Sequence, residues 1–385
     1  MNAVFDRPTL WRRILPAFLG FDAPLALAVL LLSAAGLVAM YSAGYDHGTR
    51  FADHVRNMVL AAGVLFVVAQ LPPQRLAQLA VPTYVIGMAL LIAVMLFGLT
   101  KKGATRWLDL KFVVIQPSEI LKIATPMMLA WWFQRREGQL GRSDFLIGFV
   151  LLALPVALIV KQPDLGTAIL VFGAGIYVMF FAGLSWRLIV PVLTVGAMGV
   201  VALIWFQTTI CQPDVAWPLL RDYQKHRVCT LLDPTQDPLG KGFHIIQGMI
   251  AIGSGGMTGK GFMNGTQTHL EFIPERTTDF IFAAFSEEFG LFGCIALLLG
   301  FTFLIFRGLM ISAEAPTLFS RLLGGAVTLS FFTYAMVNMG MVTGILPVVG
   351  IPLPFISYGG TAMVTLGLGL GILMSIARSK RLMQS

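Results

Sequence analysis

The strongest constraint on this chain is a repeated pattern: ten apolar segments, each close to the length of one bilayer crossing, separated by short polar breaks. They fall at about 23–42, 57–72, 76–98, 116–133, 145–160, 166–183, 188–206, 280–306, 322–343 and 360–377. A hydrocarbon core of about 30 Å is crossed by roughly 20 apolar residues in a helix. With 57% hydrophobic and 12% charged residues among 385, the chain lies far from the composition of a soluble globular domain. The runs do not alternate apolar with polar residues, as strands of a membrane barrel do. The sequence predicts an all-α polytopic membrane protein: one membrane-embedded domain over 1–385 with about ten transmembrane helices.

Sidedness follows from charge. Arg7, Arg12 and Arg13 precede the first run, "APLALAVLLLSAAGLVAMYSA", which is long enough to span and lacks a small-residue cleavage site, so it reads as a retained helix. An even number of spans puts both termini on one side. Taking that side as cytoplasmic gives its breaks 13 basic and five acidic residues, an excess equal to the whole formal net charge of +8. This is the positive-inside pattern. It predicts cytoplasmic termini and one long extracytoplasmic loop, about 207–279, between the seventh and eighth helices. The basic excess is then a topology signal, and no nucleic-acid partner is expected.

Within the long loop, "LLRDYQKHRVCTLL" reads as an amphipathic helix at the interface, its basic residues able to meet lipid phosphate. "GFHIIQGMIAIGSGG" is too short to span, so it is re-entrant or lies on the surface. Cys211 and Cys229 are either a disulfide of an oxidising compartment or two free thiols. The three cysteines have no metal-ligand spacing. "GSGGMTGKG" resembles a nucleotide phosphate loop but has Ser254 and Gly261 where that pattern needs glycine and a hydroxyl residue. Its glycines serve to turn the backbone toward the membrane, leaving Lys260 available to a phosphate. One outer loop, "TKKGATRWLDLKF", carries Lys101, Lys102, Arg106 and Lys111 against the positive-inside trend. Snorkelling to headgroups explains the first two alone; four together point to a bound anion.

Charges inside the apolar runs are expensive and need partners. In "IQPSEILK", Pro117 suits a first helical turn, and Glu119 and Lys122 share a face three residues apart. An i,i+3 ion pair is the plain reading. Lys122 nevertheless lies a turn into an apolar helix, where a cation costs about 2.5–3.5 kcal/mol on insertion scales, so it should face a polar cavity beside an acid. Asp164 in "KQPDLGTA" reads as a helix cap. In "ERTTDFIFAAFSEEFG", Thr278 is the expected N-cap and Asp279 stands at the outer helix end, where the dipole favours a carboxylate. Glu287 and Glu288 lie two turns deeper, and structural ion pairs are expected for both. "GILPVVGIPLPFISYGG" is too irregular for a helix, and such backbone at membrane depth lines a cavity or is buried in protein.

The ordered segments "GATRWL", "QPSEILK", "QPDLGTA", "YQKHRV", "DPLGKGFHIIQ", "GKGFMNGTQ", "FIPERTTDFIFAAFSEEFG" and "GILPVVGIPLPFISYGG" resemble the SEDS family of bacterial cell-wall proteins, in its elongation branch. The resemblance covers nearly the whole chain. It implies ten transmembrane helices in the bacterial cytoplasmic (inner) membrane. It also implies glycosyltransferase activity that polymerises lipid II at the outer face, and a class B penicillin-binding protein as transpeptidase partner. The family's essential acid falls on Asp279, its Glu and Lys on Glu119 and Lys122, and its Arg-Trp pair on Arg106 and Trp107. The family commonly has His before the Thr-Asp-Phe motif, where this chain has Thr277, so a mechanism using that imidazole does not carry over.

An inverting transfer of this kind needs a base at the attacking hydroxyl and positive charge at the departing diphosphate. Asp279, the essential acid that the resemblance implies, is the candidate for that base. Lys122, Arg106 and Arg56 are candidates for the diphosphate, with Lys122 alternatively paired to Asp279 at rest, and Glu119 positions Lys122. Trp107 packs or anchors at the interface. A divalent cation, Mg or Mn, is left open. Two other readings compete: a lipid II flippase, because polar groups inside a bundle also make a transport path, and a non-catalytic scaffold for the transpeptidase.

Overall fold

The computed structural model describes residues 20–46, 48–101, 104–109, 114–212, 215, 217, 222–237, 240–273 and 275–384. Arg7, Arg12, Arg13, Lys102 and Lys111 lie outside the described residues. All ten apolar segments are helical: α1 (Ala23–Ala43), α2 (Arg50–Ala69), α3 (Pro73–Phe97), α4 (Pro117–Arg135), α5 (Arg142–Lys161), α6 (Leu165–Phe181) and α7 (Trp186–Trp205), then, after the long loop, α10 (Ile281–Ala313), α11 (Leu318–Val342) and α12 (Gly360–Gln384). The loop itself holds α8 (Asp222–Leu232) and α9 (Lys241–Gly255). Eight of these helices are long and apolar enough to cross a membrane. Of the other two apolar segments, α6 is a shorter apolar helix and α4 carries Glu119 and Lys122.

Local chemistry sets the helix ends. Proline opens α3 and α4, where its missing N–H removes no helical bond. Asp22 caps α1 by accepting from Leu25 N at 3.0 Å, and its carboxylate also receives Arg307 Nε at 2.9 Å and Nη2 at 2.6 Å from α10. Asp164 caps α6 as expected, accepting from Thr167 N at 3.3 Å. In the bundle α2 packs on α12, α1 on α10, α3 on α4, and α6 against α4, α5 and α11. α11 and α12 are the innermost helices, whereas α7 has no buried residue.

The structure adds three features to the sequence reading. The fold is not purely helical: the segment between α3 and α4 forms a small antiparallel sheet of β1 (Leu99–Lys101), β2 (Ala104–Asp109) and β3 (Val114–Ile115), in that order. Strands this short leave too little period-two signal to read, and a polar break outside the hydrocarbon can pair its own backbone. Secondly, Cys211 and Cys229 form a disulfide. The third is a break in α10 at Gly290, with φ +62° and ψ −162°.

At that break the 256–261 turn supplies the missing partners. Lys260 N and Gly261 N donate to the carbonyls of Glu287 and Glu288, each at 3.0 Å, while Leu291 N and Phe292 N donate to those of Gly256 and Met257 at 2.9 and 3.1 Å. Backbone exposed by a break at membrane depth must be satisfied by protein, and here a glycine turn does so. A Cβ at Gly259 would lie 2.1 Å from the Glu288 carbonyl, so only glycine fits.

The same turn accounts for the buried acids. Lys260 Nζ lies 2.6 Å from Glu287 Oε1 and 2.7 Å from Thr266 Oγ1, and Glu287 also accepts from Gln267 N at 2.9 Å and Thr268 N at 3.2 Å. Lys260, expected to be available to a phosphate, is therefore committed to holding the turn on α10. Glu288, for which an ion pair was expected, accepts from Ser42 Oγ of α1.

Candidate functional site

Asp279 is half-buried in the turn that leads into α10. Thr278 does not cap that helix: its Oγ1 bonds back to Glu275, 3.2 Å from the carbonyl and 2.9 Å from Oε2, and the helix begins after Phe280. The reason is the tight turn itself, closed by Thr278 N and Phe280 N on the Glu275 carbonyl at 3.0 and 3.3 Å.

Buried polar side chains pin this turn to the irregular segment after α11. Asn338 of α11 donates from Nδ2 to the Asp279 carbonyl at 2.9 Å and to the Ile351 carbonyl at 2.7 Å. Ser357 Oγ donates to the Thr278 carbonyl at 2.6 Å and accepts from Leu353 N at 2.7 Å, and Tyr358 N donates to the Thr277 carbonyl at 2.8 Å. Gly350 faces the carboxylate: its φ is +78°, and a Cβ there would lie 3.3 Å from Asp279 Oδ2. The "VVGIPLPF" wall is thus shaped around this acid, by backbone that a side chain would crowd.

The first turn of α6 lies against the same wall. A Cβ at Gly166 would be 2.9 Å from the Val349 carbonyl. Two residues earlier Asp164 accepts from Gln116 Nε2 at 2.9 Å and sits 3.7 Å from Arg106 Nη1, while Arg106 also donates to the Pro163 carbonyl. Arg106 and the half-buried Trp107 are neighbours on β2, where Trp107 pairs with Leu99. Six residues along from Gln116 on α4, Lys122 Nζ is 2.6 Å from Glu119 Oε1 and 5.3 Å from the ring centre of buried Tyr334, and Glu119 Oε2 accepts from Thr365 Oγ1 at 3.0 Å. The acidic partner expected for Lys122 is thus Glu119. Lys122, Tyr334 and Thr365 border a space of about 20 Å³, enough for one water.

A cavity of about 850 Å³ runs between α2, α3, α4 and α12. Arg56, Asn57, Gln116 and Glu119 line one end; Leu60, Leu71, Leu76 and Ile372 are among the apolar residues along it. Arg56 is two-thirds exposed there and 3.1 Å from Asp53. Gly360 also lines this cavity, beside Asn57, and lies two residues from Tyr358, whose N–H holds the Thr277 carbonyl. The cavity mouth and the Asp279 turn are thus joined through residues 357–360. Charge at one end and hydrocarbon along the length fit an amphiphile with an anionic head and a long tail. Among the described residues no group of three or more His, Cys, Asp or Glu is gathered that could hold a metal ion. A hard divalent ion would need only one or two carboxylates and would share its remaining positions with substrate phosphates and water.

Sequence reasoning reached Asp279, Glu119, Lys122, Arg106, Trp107 and Arg56 but passed over Asn338, Gln116 and Tyr334. Asn338 was detectable: a fully buried amide in an apolar helix needs partners, and here both are carbonyls of the site wall.

Comparison with known proteins bears on what such a site does. The FTSW_RODA_SPOVE family, described as cell cycle protein, matches residues 22–382. The chain is 47% identical over 358 residues to the peptidoglycan glycosyltransferase MrdB of Escherichia coli K12, covering 93% of this chain and 92% of that one. It is 32% identical over 377 residues to stage V sporulation protein E of Bacillus subtilis, covering 94% and 98%. Among solved structures, it resembles a chain of a peptidoglycan synthase complex studied for the coordination of polymerization and crosslinking, with TM-score 0.76, 31% identity and coverage of 94% and 98%. It also resembles the rod shape determining protein RodA of Thermus thermophilus, with TM-score 0.69, 26% identity and coverage of 95% and 99%.

Proposed function

The chain belongs to the FTSW_RODA_SPOVE family of cell cycle proteins, and from that membership and the geometry of its site we propose that it is a peptidoglycan glycosyltransferase that polymerises lipid II for cell elongation. The observation that carries the reading is the shaped carboxylate: Asp279 faces Gly350, and its turn is pinned by Asn338 on the Asp279 carbonyl and, on the carbonyls of Thr278 and Thr277, by residues 357–358. Those residues continue into an amphiphile-shaped cavity.

In this reaction the 4-hydroxyl of one lipid-linked sugar attacks the anomeric carbon of another. Asp279 takes the hydroxyl proton as the new glycosidic bond forms, and polyprenyl diphosphate leaves with the bonding pair. The diphosphate gathers charge as it departs, and preorganised cations stabilise it. Arg56 stands exposed at the cavity mouth, Lys122 lies deeper, and Arg106 stands at the α6 rim with part of its fork used by Pro163 and Asp164. Glu119 orients Lys122, and the polyprenyl tail occupies the apolar length of the cavity. Trp107 packs at the rim. The reaction faces the periplasmic side of the cytoplasmic membrane, both termini and the basic breaks lie in the cytoplasm, and a class B penicillin-binding protein crosslinks the product.

The test is polymerisation of purified lipid II by the full chain with its transpeptidase partner. Asp279→Asn, folded and bound to that partner, is expected to make no polymer. Turnover at the wild-type rate would remove Asp279 from the base role. Polymerisation by the chain without partner would set the scaffold reading aside.

A further inference from the structure

α7 buries no residue of its own, yet Cys211, Gln212 and Val215 beyond it are held to α8. The Cys211–Cys229 disulfide joins the end of that helix segment to α8 across 18 positions. Lys225 of α8 reinforces the junction, its Nζ lying 2.6 Å from the carbonyls of Gln212 and of Val215. Two residues before Cys229, Arg227 Nη1 donates to the Val348 carbonyl at 3.0 Å. Val348 is two residues from Gly350, the glycine that faces Asp279 Oδ2. A helix of 11 residues is marginal by itself and takes its position from what holds it.

We propose that the Cys211–Cys229 disulfide and Arg227 form a positioning tether for the Asp279 site: the disulfide sets α8, and Arg227 holds the 348–350 wall against the carboxylate. Arg227 is a positioning residue, acting through the backbone of Val348. The proposal rests on the reading that Asp279 is the base and that this loop faces an oxidising compartment, where a disulfide persists. A shift of the wall by about 1 Å is enough to cost on the order of 10²-fold in turnover, because proton transfer depends on near-contact geometry.

The experiment uses the full chain with its transpeptidase partner and purified lipid II. The complex is assayed oxidised, after treatment with a phosphine, and after re-oxidation with diamide. The phosphine takes up one oxygen from water as the S–S bond becomes two thiols, and diamide re-forms the bond by accepting two hydrogens. Reduction is expected to lower kcat by about tenfold or more while KM for lipid II moves less, and re-oxidation is expected to restore it. The double variant Cys211→Ser, Cys229→Ser should be slow and indifferent to phosphine, which separates the effect from thiols of the partner. Arg227→Ala should slow the oxidised protein similarly, with partial recovery in Arg227→Lys. If the double variant fails to insert, reduction of the folded wild type still decides. An unchanged rate after complete reduction, verified by mass spectrometry of the thiols, overturns the tether. Asp279→Asn assayed alongside keeps the two readings apart: its retained turnover would overturn the base assignment, whatever reduction does.

Discussion

Gly350 gives the most direct quantitative test of how the wall serves the carboxylate. Its φ of +78° lies in the left-handed region, and a Cβ would come to 3.3 Å from Asp279 Oδ2. Gly350→Ala therefore incurs about 1–2 kcal/mol of backbone strain, small against the roughly 5–15 kcal/mol that keeps a domain folded. The carboxylate must also give way by a few tenths of an ångström. If a misplacement of about 1 Å costs on the order of 10²-fold, a shift of about a third of that costs roughly four- to fivefold. The expected result is a kcat for lipid II polymerisation about three- to tenfold lower, with KM little changed and the protein inserted normally. Gly344→Ala is the control: its φ is +73°, but a Cβ there meets Met249 Sδ at 3.2 Å and Ile245 Cγ2 at 3.5 Å, away from the acid. Both variants carry the strain and only one disturbs Asp279. Equal losses in the two, or a wild-type rate in Gly350→Ala, would refute the claim that the wall positions this carboxylate.

Other variants probe the remaining parts of the site and its supports. Lys122→Met should abolish polymerisation and destabilise the fold by about 3–5 kcal/mol by stranding Glu119, whereas Lys122→Met with Glu119→Gln should regain stability without turnover, checked by melting in detergent beside the lipid II assay. Lys260→Ala should lower stability by about 2 kcal/mol, less than for a fully buried pair, because Lys260 is 27% exposed and Glu287 keeps its backbone donors; an unchanged melting temperature would remove the pair as the anchor of the 256–269 turn. Asn338→Leu should cost about 2–4 kcal/mol by orphaning two carbonyls and should raise hydrogen exchange around 279–281 and 351–353, with exchange unchanged there if the amide is not the clamp.

Much of the site was legible as residue type. Lys122 in an apolar run demanded an acid, and Glu119 three residues away was the local answer that the structure realises. Asp164 sat where a cap was needed and caps. Lys260 shows the limit of such reading: a lysine in a glycine turn looks like a phosphate ligand until a buried glutamate 27 residues on is seen to claim it. Thr278 shows another, because a favourable cap residue lost to a turn closed on Glu275.

The helical nature of the ten apolar segments was determined by sequence alone, because crossing a hydrocarbon layer imposes length and hydropathy on each segment separately. Only the tertiary structure decided which charges meet, that α10 breaks at Gly290, that Cys211 and Cys229 bond, and that Asp279 faces Gly350. Insertion is a property of one segment and its solvent, whereas a hydrogen bond such as that from Ser42 to Glu288 joins residues 246 positions apart and exists only once the bundle has brought them together.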